Sequence, residues 1–593
     1  MPETTMQVLN PIRIDQNGYS THLPKYIAVL KNEPVSLYTP AGDLVRKYED
    51  PGLSFDEASG DDLAIIDLGD IPAGSYTVKC GDHSADISVR DKAFSELAIS
   101  LTKALYYQRC GCALDSRYAG IFTHKACHTA PAAEWENKSI KKTIIGGWHD
   151  AGDFGKYVSP GAVTVAHMLY AYLLFPTGCS DDINIPETGN GTPDILNEAR
   201  WELEWIIKMQ REDGAFYHKL TKDHFAPFIM PEDDLDLEYL IPPTHCATAD
   251  AVAVLALASR IYRKFDPAFS DKALSSALAG WDWLVKNQEF VPYMNPEGVR
   301  TGPYGDARVS DELFWTCCEL YAAASDENMK NLDELSGLAL KFSKEAEYIY
   351  KWAKDEDSEP DAECIFKPMI EKEKEAAAIA REKFKMWKLP KLAGLNLTQF
   401  GWSDVSGLGA LCCLFVLKEK AGNVLYDELK ADFLKRSETA LERVNASVYR
   451  TALKPDEYVW GSILSIMNNA MTMTANHLIT GSLQMRNGAL SQLDYSLGLN
   501  ALDLSFVTGF GTRSVQNPHH RPSGADGIGA PVPGFIVGGP NKRWTYPETK
   551  ERLGESTPAA KYYLDETPSA DTNEVAIYWN SPVIFVTAFF NSL

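Results

Sequence analysis

The pattern of hydrophobic and polar positions changes character once along the chain. From about residue 8 to 91 the apolar residues come in short β-branched or aromatic runs, several of them alternating with polar residues. Residues 25–31, 35–38, 63–68, 75–79 and 85–89 read as strands, with turn signals at Pro40-Ala41-Gly42-Asp43, Pro72-Ala73-Gly74 and Gly81-Asp82-His83. Short strands at this spacing predict a small all-β sandwich over 8–91. It carries no cluster of catalytic residue types, so its expected role is structural support.

From Phe94 onward the apolar positions recur at helical spacing. The pattern predicts helices over 94–107, 161–175, 194–210, 248–265, 271–287, 311–324, 332–352, 371–387, 405–421, 427–444, 460–480, 482–498 and 581–590. Pro193 marks one start, and Pro582 falls in the first turn of the last helix, where proline is tolerated. Almost no strand text lies between them. The expectation is a mainly α array of helical hairpins, with closure into an α/α toroid possible in principle but unsupported by any clean internal repeat. Residues 326–390 are rich in Lys and Glu and read as an inserted helical hairpin with a solvated face.

Composition narrows the partners. The chain has 593 residues and a net charge of −24, which disfavours nucleic acid and anionic membranes. No run reaches the ~20 apolar residues that span a bilayer, and residues 1–10 show neither a basic nor an apolar signal-peptide region. The 11 cysteines include the adjacent pairs Cys317-Cys318 and Cys412-Cys413 in apolar helical text, poor material for a disulfide framework. These features predict a cytoplasmic, reducing location.

The chemistry concentrates in Gly146-Gly147-Trp148-His149-Asp150-Ala151-Gly152-Asp153-Phe154-Gly155-Lys156-Tyr157. Repeated glycine argues for a shaped loop rather than a helix. Such a loop presents Asp150 and Asp153 together, and crowded carboxylates shift one another's pKa. The plainer reading is a turn in which Asp150 caps the next helix. Cys110, Cys127, His128 and His149 have the ligand types and number of a closed zinc site, with Cys112 and His124 as competing ligands. The alternative is unrelated core cysteines and surface histidines. A third group, residues 505–526, sets His519, His520 and Arg521 among Gly and Pro, donors suited to sugar hydroxyls or anions. Glu574 stands before a mostly apolar segment, where a carboxylate is often only a helix-dipole partner.

Together these segments resemble glycoside hydrolase family nine, the inverting cellulase family. GGWHDAGDFGKYV, SFVTGFGTRSVQNPHHR and DTNEVAIYWNSP are similar to its base, histidine and acid segments, and occur in the family's order. The resemblance covers residues from about 95 to 593. It implies an (α/α)6 barrel catalytic domain preceded by an immunoglobulin-like module. It implies Asp153 as general base, Asp150 as its partner in holding the nucleophilic water, and Glu574 as general acid. It further implies sugar contacts from His519, Arg521 and Trp579, and structural zinc on Cys110, Cys127, His128 and His149. Relatives with calcium use an Asp-Glu pair like Asp311-Glu312, although Arg308 stands here where a small residue is usual. Ile463 and Leu499 are further departures, and these bear on substrate choice.

Inverting hydrolysis needs one protonated carboxylic acid and one ionised carboxylate, ~6.5–9.5 Å apart so that a water fits between. An apolar setting at Val575-Ala576-Ile577 is expected to keep Glu574 protonated, and a cationic neighbour with hydrogen bonds to keep Asp153 ionised. The expected substrate is a β-1,4-linked glucan, most simply a cello-oligosaccharide. The alternatives are exo-acting release of β-linked glucosamine from chitosan oligomers, and a catalytically silent carbohydrate-binding protein.

Overall fold

A computed structural model describes residues 9–329, 335, 337–354, 359–383, 395–422 and 424–593. The chain divides into two compact units, one of Met1–Ala104, Phe175–Ser180 and Ser437–Leu593, the other of Leu105–Leu174 and Asp181–Arg436.

In the first unit the N-terminal strands form two sheets. One has the order Ile12–Arg13, Tyr26–Val29, Asp61–Asp67, Ser54–Asp56; the other Tyr19–Ser20, His83–Arg90, Gly74–Cys80, Val35–Tyr38, Leu44–Tyr48. Alternation explains the packing: Val35 and Leu37 are buried while Ser36 and Tyr38 are half-buried. Val35, Leu37, Ile27, Val29, Ile66, Val78, Ile87 and Val89 make one apolar core. All five expected strands are present. The four short or exposed ones, at 12–13, 19–20, 44–48 and 54–56, lack the apolar alternation that would reveal them.

The same unit contains the helices Ser462–Thr480, Leu483–Ser496 and Ile577–Ser592. The last begins four residues before the expected start, so Pro582 lies inside it rather than in its first turn. The helix is buried almost throughout, and that packing offsets the donor missing at the proline. Hydrogen bonds tie strands to helices here. Gln16 donates from its backbone to the Leu497 carbonyl (2.9 Å) and accepts from the Arg513 N–H (2.8 Å). Asp56 accepts from the Val448 N–H (3.2 Å), and Lys561 pairs with Asp61 (2.5 Å).

The second unit is built on the helices Val158–Leu174, Asp194–Lys208, His245–Tyr262, Pro267–Lys286 and Ser310–Ser325. Local chemistry sets their starts. Thr244 accepts from the Ala247 N–H (3.2 Å), and Asp266 accepts from the Phe269 N–H (3.1 Å) with Pro267 at the first position. In the charged insertion, Ala339–Lys354 and Lys367–Lys383 are helical. Residues 330–334, 336, 355–358 and 384–394 lie outside the described set, including the end of the helix expected over 371–387. The helix expected over 405–421 is three pieces: an α-turn at Ser406–Leu411, a π-helix at Cys412–Leu417 and a 3₁₀ turn at Lys418–Ala421.

The expectation of almost no strands between the helices is corrected. A five-stranded sheet runs Lys141–Lys142, Ala132–Glu134, Tyr239–Pro243, Tyr217–Thr221, Lys156–Tyr157. Three of its strands have only two or three residues, and Tyr217–Thr221 is buried along its full length, so no alternation marks it. Its edge strand is the end of the glycine-rich loop, with Tyr157 paired to Lys219.

Candidate active site and metal centre

In the second unit, Gly146 and Gly147 open the glycine-rich loop at φ +113° and +76°, a region that glycine enters without strain. A Cβ on Gly147 would stand 2.6 Å from Trp205 Cγ. The turn seats Trp148 in the core, where its backbone N–H donates to Glu202 (2.7 Å) and its indole to Glu198 (2.9 Å). Beyond it, the His149 N–H donates to the Gln108 carbonyl and the Gln108 amide to the Ala151 carbonyl (2.9 Å). The Asp150 N–H donates to the Gly155 carbonyl (2.9 Å), closing the loop on itself.

Asp150 is fully buried. Oδ2 accepts from the Tyr304 hydroxyl, while Oδ1 has no hydrogen-bond partner. Burial pushes its carboxyl well above the usual range, opposed by the Tyr304 hydroxyl and reinforced by the charge of Asp153. Tyr304 holds a φ of +44°, a conformation uncommon for a side chain of its size, and edges onto Tyr157 (4.6 Å) and Trp402 (5.0 Å). Asp153 accepts from the Gly155 N–H (3.1 Å). A Cβ at Gly155 would lie 2.9 Å from Asp153 Oδ2 and 2.6 Å from the Tyr157 hydroxyl oxygen, so only glycine permits this approach. Asp153 opens onto a recess lined also by Thr221, His224, Phe225 and Thr301.

The four cysteine and histidine ligand candidates converge. Their donor atoms all lie within 4.8 Å of one another. His149 Nε2 is 3.3 Å from His128 Nδ1, Cys110 Sγ is 3.7 Å from His128 Nδ1, and Cys127 Sγ is 3.9 Å from His149 Nε2. Tetrahedral bonds of zinc length put ligand atoms about 3.3–3.8 Å apart, so the donor set and its spacing fit a closed metal site. His128 has a φ of +48°, the irregular turn that adjacent ligands Cys127 and His128 require. Asp234 holds His128 Nε2 at 3.1 Å, which aims Nδ1 at the cluster. Burial above all pushes the Cys110 thiol up, and Lys156 Nζ, which donates to Cys110 Sγ (3.0 Å), opposes that push. Cys112 and His124 are not in the group; His124 Nδ1 is bonded to the Lys125 carbonyl (2.7 Å).

Asp311 and Glu312 do not make a comparable centre. Arg308 Nη2 lies 3.0 Å from Asp404 and 3.8 Å from Asp311, a positive charge already among these carboxylates. The Cys/His group is the one set of three or more metal donors drawn within 4.8 Å among the described residues. Burial pushes the Glu312 and Asp250 carboxyls well above the usual range, and the charges of Asp311 and Asp306 add to that push.

In the first unit, Glu574 ends the short helix Ala570–Asn573. It is held by a parallel bridge to His519, with the His519 N–H donating to the Asn573 carbonyl (2.8 Å) and the Gly538 N–H to the Glu574 carbonyl (2.9 Å). Val575, Ala576 and Ile577 beside it are buried. His519 Nδ1 is bonded to the Thr567 carbonyl (2.7 Å), and burial above all lowers its pKa to about 4, so its imidazole is neutral. Arg521 is buried in the turn after it. Trp579 is only 3% exposed, its ring against Gly461 and Gly538, where a Cβ would stand 3.1 and 3.0 Å away.

A sequence model of glycosyl hydrolase family 9 matches residues 94–587. The chain belongs to glycosyl hydrolase family 9. Among similar proteins is a cellodextrinase of Butyrivibrio fibrisolvens, 30% identical, with the alignment covering 97% of this chain and 99% of the relative. Among solved structures, AaCel9A in complex with cellobiose-like isofagomine matches with a TM-score of 0.83 and 30% identity, over 98% of this chain and 100% of that one. A zinc-binding triple mutant of a family 9 endoglucanase, J30, matches with a TM-score of 0.78 and 26% identity, over 96% and 99%. As a family 9 member the protein is a glycoside hydrolase, and its fold class is mainly α, an (α/α)6 barrel preceded by a small β-sandwich.

Sequence motifs located the glycine-rich loop, the metal cluster and Glu574. They missed Tyr304, whose hydroxyl reaches Asp150 from a distant segment, and Lys219, buried on the strand that pairs with Tyr157. The one available signal was a lysine flanked by His218 and Leu220 in an otherwise apolar stretch.

Proposed function

We infer that this family 9 enzyme hydrolyses β-1,4-glucosidic bonds with inversion, and that its substrates are cello-oligosaccharides. The observation that carries the reading is the pair Asp150 and Asp153 on one rigid loop, Asp150 bonded by the Tyr304 hydroxyl and Asp153 by the Gly155 N–H beside an open recess. In this reading Asp153 takes the proton of the attacking water, Asp150 orients that water through its free Oδ1, and Glu574 protonates the departing oxygen. His519, Arg521 and Trp579 contact sugar on the Glu574 side. Neutral His519 and the Arg521 guanidinium donate to hydroxyls, and Trp579 offers a ring edge.

Cys110, Cys127, His128 and His149 hold structural zinc. Bound there, the ion supplies a cross-link and leaves the proton transfers to the carboxylates. The chain's 11 cysteines are all free thiols, including Cys318 and Cys413 with sulfurs 3.4 Å apart, which supports a reducing, cytoplasmic location. The cellodextrinase relative favours glucan over chitosan, and the retained carboxylates favour an enzyme over a silent binding protein. Incubation with cellohexaose and with chitosan hexamer, followed by anomeric NMR, tests all of this. The expected result is α-configured reducing ends from cellohexaose alone. A first product with β configuration, or no reducing ends, would refute the reading.

A further inference from the structure

Lys219 is a buried cation whose role neither the loop nor the Cys/His group accounts for. Its residue is 0% exposed. Nζ donates to Asn295 Oδ1 (2.8 Å), Thr301 Oγ1 (3.2 Å) and the Gly302 carbonyl (2.8 Å), and all three acceptors are neutral. A buried ammonium held only by neutral groups is costly unless an anion stands nearby. The strand register supplies the neighbour: Lys219 is paired directly with Tyr157, Nζ lies 5.4 Å from the centre of that ring, and the Tyr157 hydroxyl and Asp153 Oδ2 converge at Gly155.

Other charged groups at the recess have partners of their own. Asp150, on its own loop, is bonded to Tyr304. Across the recess Lys222 and His128 both pair with Asp234, and His224 pairs with Asp223. Glu238, also on that wall, pairs with Lys156 at 3.8 Å.

We propose that Lys219 is a positioning residue of the hydrolytic site: its buried ammonium is the fixed countercharge that keeps Asp153 a carboxylate beside the recess. The proposal rests on the assignment of Asp153 as general base. Burial lowers the Lys219 pKa to about 7 and the charge of Asp153 opposes that fall, so the ammonium is present at acidic pH, where a carboxylate base is at risk of protonation. Lys219 does not touch sugar. It acts through Asp153 and, by the Tyr157 ring, on the packing of Tyr304.

The sign follows. A nearby cation lowers a carboxyl pKa, so removing it raises the pKa of Asp153 and moves the acid limb of kcat/KM to higher pH. The test is the pH profile of cellohexaose hydrolysis for Lys219→Met, Lys219→Gln and Lys219→Arg, with circular dichroism as the check on folding. Met and Gln should move the limb up by about one unit, a roughly tenfold loss on its acidic side with KM little changed, and Arg should restore the limb. The Gln variant, which still bonds to neutral acceptors, carries the test if Met does not fold. Folded Met or Gln variants with a wild-type limb, or with a loss uniform in pH, overturn the proposal. Asp153→Asn separates the two layers. If it is inactive while the limb of the Lys219 variants stays put, only the lysine assignment falls; if it stays active, the base assignment falls and takes this one with it.

Discussion

Tyr304→Phe isolates one hydroxyl. The ring contacts to Tyr157 and Trp402 remain, and the only group lost is the donor to Asp150 Oδ2. Asp150 is fully buried and its other oxygen has no hydrogen-bond partner, so the variant leaves the carboxylate without a side-chain donor. Losing a hydrogen bond to a charged group costs about 1.5–3 kcal/mol. The cost falls on the ionised form, which is equivalent to raising the Asp150 pKa by roughly one to two units, on top of the upward push that burial already gives. If water orientation needs the ionised form, kcat/KM should fall about ten- to a hundredfold. The loss should be greatest at low pH, because the group now protonates earlier as pH falls. The assay is reducing-end release from cellohexaose across the pH range, alongside thermal unfolding, whose midpoint should move by less than about 3 °C. Wild-type kcat/KM at every pH, in a folded variant, would refute both the magnitude and the role given to Asp150.

Glu574→Gln should lower kcat by about a hundred- to ten-thousandfold with an unchanged circular dichroism spectrum; near-wild-type turnover of an unactivated β-glucoside would remove the acid assignment. His149→Ala should release the metal, read as loss of about one zinc per chain by mass spectrometry, and should lower the unfolding midpoint. A variant that retains its zinc would show that His149 is not a ligand. Gly155→Ala should reduce kcat at least roughly tenfold, because the added Cβ displaces Asp153 or Tyr157; unchanged kinetics would mean the loop yields more easily than its packing implies.

The helices were legible because burial on one face writes a 3.6-residue period, and the structure departs from it mainly at the ends. The long apolar helix Val158–Leu174 begins three residues before the expected start, and Val158, Ser159 and Pro160 are buried with the rest of it. The central sheet was hidden for the opposite reason. Tyr217–Thr221 contains His218 and Lys219, which in sequence look like surface residues, yet both are buried and paired with partners far along the chain. The Cys/His group was legible from residue type, because zinc's preferred donors are few. Tyr304 was not, because one tyrosine among 27 carries no local mark of the carboxylate 154 residues away that it serves.

The stretch from His149 to Lys156 is pinned at both ends, by the Cys/His cluster at one and by strand pairing to Leu220 at the other. A short span between two fixed points has few conformations to lose, so Asp150 and Asp153 stand ready before any sugar arrives and turnover carries little ordering cost. The same arrangement makes the two ends separable in time. If the anchor at His149 is cut, the loop frays locally while the helices around it persist. Chelated enzyme should therefore lose activity on heating well below the temperature at which its helical signal disappears, while loaded enzyme loses both together.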